Sequence, residues 1–240
     1  MKSFGALAVL TLATGIPAQT ETEPDYAAAR ARLVDSLRGY ARSMGERGDA
    51  RVLAAMRSVP RHEFVPAAQR DEAYRDYPLP IGEGQTISQP TIVAMMTHLL
   101  KPEPGDVMLE VGTGSGYQAS VLSRLVGHVY SIEIVEALAR RSARRLDELG
   151  YDNVTVRHGD GYAGWPQHGP FDGIIVTAGA KHVPPPLVAQ LRAGGRMVIP
   201  VGSSLGTQEL KLIVKDARGR VTSRTITPVR FVSLTREKRG

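Results

Sequence analysis

The stretch from Val107 to Tyr117, VMLEVGTGSGY, holds one carboxylate, Glu110, and then glycines at alternate positions, Gly112, Gly114 and Gly116. Glycines there let the chain turn sharply and let a ligand approach the backbone with no Cβ in the way. A pyrophosphate fingerprint needs its third glycine at the sixth position counted from Gly112, and Tyr117 stands there instead. A carboxylate just before the loop is also wrong for a phosphate, because it repels an anion and attracts a cation. The pattern favours a cofactor with a positive centre, such as the sulfonium of S-adenosylmethionine.

The surrounding elements would position this loop. Val107, Met108, Leu109 and Val111 form a continuous apolar run, as a parallel strand covered on both faces requires. From Tyr117 to Val126 the apolar residues Ala119, Val121, Leu122, Leu125 and Val126 recur at helical spacing, so the loop feeds a helix whose free N–H groups face the ligand. A second strand, His128 to Ile134, carries Glu133 near its end, about 20 residues past Gly112, where this architecture places an acid that accepts from both ribose hydroxyls. A third strand, Val154 to Arg157, leads into His158, Gly159, Asp160 and Gly161, which on residue type alone read as a tight turn. Phe171 to Thr177 makes a fourth strand and Gly194 to Gly202 a fifth, separated by a short helix at Leu187 to Leu191; strands at Gln208 to Asp216 and Arg220 to Leu234 complete the set. Alternating strands and helices imply one α/β domain, Rossmann-like, with a mostly parallel central sheet, helices on both faces and the ligand across the C-terminal strand ends.

Upstream, Tyr26 to Met44 reads as an amphipathic helix with Leu33, Val34, Leu37, Tyr40, Ala41 and Met44 on one face, and Asp49 as the cap of a second helix that ends before Pro60. Phe64 to Pro66 and Asp71 to Pro80 read as loop. In residues 81 to 100, IGEGQTISQPTIVAMMTHLL, Gly82 and Gly84 suggest a flexible lead-in and Pro90 the first helical position. Thr86, Ile87 and Ser88 then fall at a helix N-terminus, which can hold an anion. Taken alone, Ser88 reads as a helix cap.

Several of these stretches, taken together, resemble one family. The run RVLAAMRSVPRHEFVP from Arg51, then PLPIGEGQTISQP, EVGTGSGYQ, RHGDG and PVRFVSL, is similar in order and spacing to the protein-L-isoaspartate O-methyltransferases, over about residues 30 to 237. The E-x-G-x-G-x-G motif resembles the first motif of class I methyltransferases. The resemblance implies methyl transfer from S-adenosylmethionine to the free carboxylate of an isoaspartyl or D-aspartyl residue. Ser88 matches the family's active-site serine and, with Thr86 and Ile87, would lie between cofactor and substrate. Asp160 and the Gly161 backbone would bind the adenine, and Thr235 matches a position near the cofactor. The loop after the fourth strand departs from the family, which usually continues with alanines and a proline; here stand Gly179, Lys181 and His182, and His182 reads as a surface histidine.

No metal-ligand spacing and no nucleophile–base pair is apparent, and carboxyl methylation needs neither. A carboxylate with a pKa near ~4 is already anionic at neutral pH, so no general base is required. Its attack on a sulfonium methyl neutralises both charges, so a site that excludes water and aligns the reacting atoms supplies the acceleration.

The net charge of +6 is spread over several segments, and aromatic content of 5% is low, which speaks against nucleic acid and suits anionic peptides. Arg140, Arg141, Arg144 and Arg145 read as a solvated helix face. Residues 1 to 18, MKSFGALAVLTLATGIPA, have the layout of a secretory signal peptide, which points to an exported protein with no stable membrane association afterwards; the cofactor's supply and the family point instead to the cytoplasm. The absence of cysteine fits either compartment. A monomer is expected. The alternatives to a repair methyltransferase are a class I methyltransferase of another carboxylate and an exported binding protein without catalysis.

Overall fold

The computed structural model describes residues 25–43, 50–203 and 206–236. The leader-like residues 1 to 18, together with Met44, Asp49 and the side chains of Tyr40 and Ala41, lie outside that description. Two helices, α1 (Tyr26–Ser43) and α2 (Ala50–Ser58), come first, followed by short 3-10 turns at Arg61–Phe64 and Ala67–Glu72 within what reads as loop. An antiparallel hairpin follows, β1 (Leu79–Gly82) and β2 (Gln85–Ile87), and then α3 (Pro90–Leu100). The hairpin replaces the expected flexible lead-in. Its two-residue turn, Glu83 and Gly84, has positive φ at both positions, 55° and 67°, which matches the twist of paired strands.

The remaining strands build one sheet: β3 (Val107–Val111), β4 (His128–Glu133), β5 (Val154–His158), β6 (Phe171–Val176), β7 (Leu191–Gly202), β8 (Gln208–Lys215) and β9 (Val221–Val229). Their order is β5-β4-β3-β6-β7-β8-β9, parallel from β5 to β7 and antiparallel for the last two pairings. From β3 the chain steps outward through α4 (Tyr117–Ser123), β4, α5 (Glu136–Glu148) and β5, then returns to the other side of β3 as β6. Such a reversal opens a crevice at the C-terminal ends of β3 and β6.

Strand periodicity divides the core in two. Met108, Val129, Ile175 and Val198 pack with residues of α1 to α5, whereas Leu109, Val111, Ile174 and Met197 pack on the opposite face with Leu187 of the short helix α6 (Pro185–Gln190). Both faces are covered, though unequally. Trp165 belongs to the thinner layer, with the Arg157 guanidinium 4.2 Å from its ring centre. The N-terminal elements are tied in by Arg61. Its side chain is fully buried, donates from Nε to the Ala73 carbonyl at 2.8 Å and sits 4.9 Å from the Tyr117 ring centre.

The alternation also corrects the expectation for Glu110. It shares the Met108 face, beneath α4, and is fully buried away from the cleft, with Oε2 accepting from Ser131 and Oε1 without a hydrogen-bond partner. Burial pushes its pKa up to about 8, reinforced by the Glu133 charge and opposed by the Ser131 hydroxyl. A carboxyl held neutral and turned away cannot attract a cationic cofactor directly. Because its folded pKa lies above the unfolded value, the stability tied to its neutral form is fully present below about pH 4.5 and is lost as pH rises toward 8. Glu110→Gln should therefore gain melting temperature over wild type between pH 5 and pH 8, by about 3 °C or more. A difference that is constant across that range would show that Glu110 does not titrate there.

Candidate active site

The glycine loop follows β3 because only glycine serves there. Gly112, Gly114 and Gly116 have φ of 99°, 53° and 90°, and a Cβ on Gly112 would collide with Thr177 Oγ1. Thr177, just past β6, donates from that hydroxyl to the Gly112 carbonyl at 2.6 Å, fastening the two strand ends that flank the crevice. From the end of β4, Glu133 takes the Gly114 N–H on Oε2 at 2.7 Å and the Val135 N–H on Oε1 at 2.9 Å. Each oxygen keeps a lone pair, and the side chain lines the cleft. Glu133, expected as a ribose acceptor, thus lines the cleft and also fixes the loop.

On the other wall, Thr86, Ile87 and Ser88 line the same cleft as Gly112, Gly114 and Glu133. Ile87 is buried and Ser88 half-buried. Ser88 does not cap α3. That task falls to Asp76, which accepts from the Thr91 N–H at 2.8 Å, the Thr91 hydroxyl at 2.6 Å and the Gln89 amide at 3.2 Å. The Ser88 hydroxyl has no hydrogen-bond partner among the described residues, so it is available to a ligand. Arg141 departs from the expected solvated face of α5 and donates to the Ile81 carbonyl at 2.5 Å, holding the hairpin against the core. Asp76 did not stand out in the sequence and Arg141 read as part of a solvated face, because each acts on a segment away from its own along the chain.

At the far end of the cleft, Gly161 lies against Val111 so closely that a Cβ would overlap the valine Cγ1. Asp160 is beside it and caps the following turn through the Tyr162 N–H at 2.9 Å, while its Oδ2 pairs with Arg236 Nε at 3.3 Å. Thr235 lines the cleft. The segment reaching it is pinned by Gly179, whose N–H donates to the Val232 carbonyl at 2.7 Å and whose carbonyl accepts from Leu234 N–H at 2.8 Å. Any side chain at Gly179 would meet the Gln208 amide at 2.8 Å, which gives this departure from the family pattern a packing reason. Lys181 and His182 are exposed, and the His182 ring bonds the Tyr162 hydroxyl at 2.9 Å.

The cleft fits an adenosyl cofactor. Gly112, Gly114 and Gly161 line it and Glu133 offers it two acceptors, whereas Asp160 is next to Gly161 but not in the lining, its oxygens engaged by the Tyr162 N–H and Arg236. A second hollow of about 400 Å³ adjoins it and shares Thr86, Ser88, Thr177 and Val232 as common wall. One ligand can thus be held on each side of Ser88. Among the described residues no His, Asp and Glu side chains gather to hold a metal ion, and no helix is long and apolar enough to cross a membrane.

Comparison with known proteins agrees with this geometry. Residues 31–239 match the family model described as protein-L-isoaspartate(D-aspartate) O-methyltransferase. The chain is 56% identical to protein-L-isoaspartate O-methyltransferase 2 of Syntrophobacter fumaroxidans, over 98% of each chain. It is 60% identical to the protein of the same name from a Polaromonas species, over 79% of this chain and 90% of that one. Among solved structures, one assigned as a protein-L-isoaspartate O-methyltransferase from Plasmodium falciparum, in complex with S-adenosyl-L-homocysteine, superposes with a TM-score of 0.72 at 27% identity, over 87% of this chain and 99% of that one. The chain belongs to the protein-L-isoaspartate(D-aspartate) O-methyltransferase family.

Proposed function

We infer that this protein transfers a methyl group from S-adenosylmethionine to the free carboxylate of L-isoaspartyl residues in damaged proteins and peptides. The observation that carries the reading is Ser88, a hydroxyl with no hydrogen-bond partner among the described residues, set in the wall between the cofactor cleft and the adjoining hollow.

S-adenosylmethionine supplies an activated methyl group on a positively charged sulfur. The residues of this chain bind, orient and exclude water. Glu133 and the Gly112–Gly116 loop hold the ribose side, and Gly161, with Asp160 next to it, the base side. Ser88 donates to one oxygen of the acceptor carboxylate and leaves the other oxygen free to face the cofactor cleft. No proton has to be removed, since the acceptor is already ionised at neutral pH. One hydroxyl is a suitable partner, because a stronger grip on the negative charge would stabilise the ground state more than a transition state in which that charge is vanishing.

The reading is tested with labelled S-adenosylmethionine and matched peptides carrying isoaspartate or aspartate; label on the isoaspartyl peptide alone is expected, and equal label on both would contradict it. Ser88→Ala should lower kcat roughly tenfold while the S-adenosylmethionine Kd stays within about twofold; equal losses in both would remove its positioning role. Glu133→Ala should raise that Kd tenfold or more, because the ribose acceptors and the loop anchor go together, and calorimetry showing an unaltered Kd would count against it.

We also propose that the chain is exported and acts as a monomer. The composition of residues 1 to 18 supports export. Cell fractionation with a mass measurement should find a mature chain beginning near Gln19 outside the cytoplasm, whereas an intact Met1 in the cytoplasm would refute export.

A further inference from the structure

We propose that Arg230 recognises a second carboxylate on the substrate, separate from the one that is methylated, and so favours isoaspartyl sites in acidic surroundings. The proposal rests on the activity inferred above and names a feature of its substrates. Arg230 lines the hollow beyond Ser88, directly after the last residue of β9. Among the described residues that line the hollow it is the one charged side chain, the others, among them Gln89, Thr207 and Phe231, being neutral.

Its backbone is fixed while its side chain is free. Val229 on one side is buried. Phe231 on the other donates its N–H to Gln208 Oε1 at 2.7 Å and accepts from Gln208 Nε2 at 3.2 Å. The Arg230 side chain is exposed and its guanidinium has no hydrogen bond or ion pair among the described residues. Three other arginines of the same half of the chain are engaged, Arg192 with Asp172, Arg220 with Asp216 and Arg236 with Asp160, and none of these three lines the hollow. A guanidinium held at the mouth of a neutral hollow is suited to one anionic group presented by the occupant, since its planar donors match a carboxylate.

The reacting carboxylate is the wrong partner for it. That group loses its charge during methyl transfer, so a full cation against it would favour the ground state over the transition state and slow the reaction. A carboxylate that keeps its charge throughout, on a flanking acidic side chain or at the end of the peptide, gains from Arg230 equally in both states, which raises kcat/KM through binding.

The test uses the full chain and isoaspartyl peptides with amidated ends and neutral flanks, carrying Glu or Gln at each of the two positions before and after the isoaspartate. A further pair compares a free C-terminal carboxylate with the amide. At low ionic strength, about 0.02 M, the wild type should favour the acidic member of at least one pair about threefold in kcat/KM, as expected of an exposed ion pair. That ratio should fall toward one at about 0.5 M salt. It should also fall toward one in Arg230→Gln at low salt, while Arg230→Lys keeps part of it. The pair that shows the preference identifies a side chain or a chain end as the source. A ratio that Arg230→Gln leaves intact, or no preference in the wild type, would overturn the proposal. So would a loss of the same factor on acidic and neutral peptides, which would place Arg230 on the reacting carboxylate. Absence of methylation on every isoaspartyl peptide would overturn the activity itself, and this inference with it.

Discussion

The site depends on how the N-terminus of α3 is satisfied. A helix start leaves backbone N–H groups without partners; the N-cap of α3 is Gln89, which makes no side-chain capping bond, and Ser88 stands just before it. Here Asp76 takes the Thr91 N–H and hydroxyl and the Gln89 amide, so the helix is capped from a loop on the preceding segment. Ser88 is released from structural work. With the hairpin behind it held by Arg141, its hydroxyl is presented in the wall common to the glycine-loop cleft and the adjoining hollow.

On the cofactor side, Glu133 plays the corresponding part. Its carboxylate grips the glycine loop through Gly114 and the start of the next segment through Val135, so the carboxylate that lines the cleft and the glycine loop are one assembly. Glu110, two residues before the loop, contributes from beneath, bonded to Ser131 on the neighbouring strand with its proton retained by burial. Glu110 therefore does not face the cleft, and the carboxylate that lines it is that of Glu133.

Much of this was legible in the residues. The buried strand run, the glycine spacing, Glu133 at a strand end and Pro90 at a helix start each carry a local signal, and each fell where that signal placed it. The direction of Glu110 was not legible, because a strand apolar on both faces has no alternation by which to tell them apart. The β1–β2 hairpin was hidden by Pro78, Pro80, Gly82 and Gly84, which read as loop one by one; its order comes from Arg141, far along the chain. Asp76 was hidden for the same reason, since a cap supplied from a distant loop leaves no mark next to the helix. Asp160 and Gly161 read locally as a turn. Tertiary contacts set Gly161 against Val111 in the lining of the cleft and Asp160 beside Arg236, just behind it.

The dependence of Ser88 on Asp76 is most directly tested by a double-mutant cycle on kcat for an isoaspartyl peptide, with melting temperatures taken on the same proteins. Asp76→Ala alone is expected to lower kcat by about tenfold, and to add less than about twofold when Ser88 is already alanine, because both changes remove the same interaction. Additive losses in a folded double variant would contradict it.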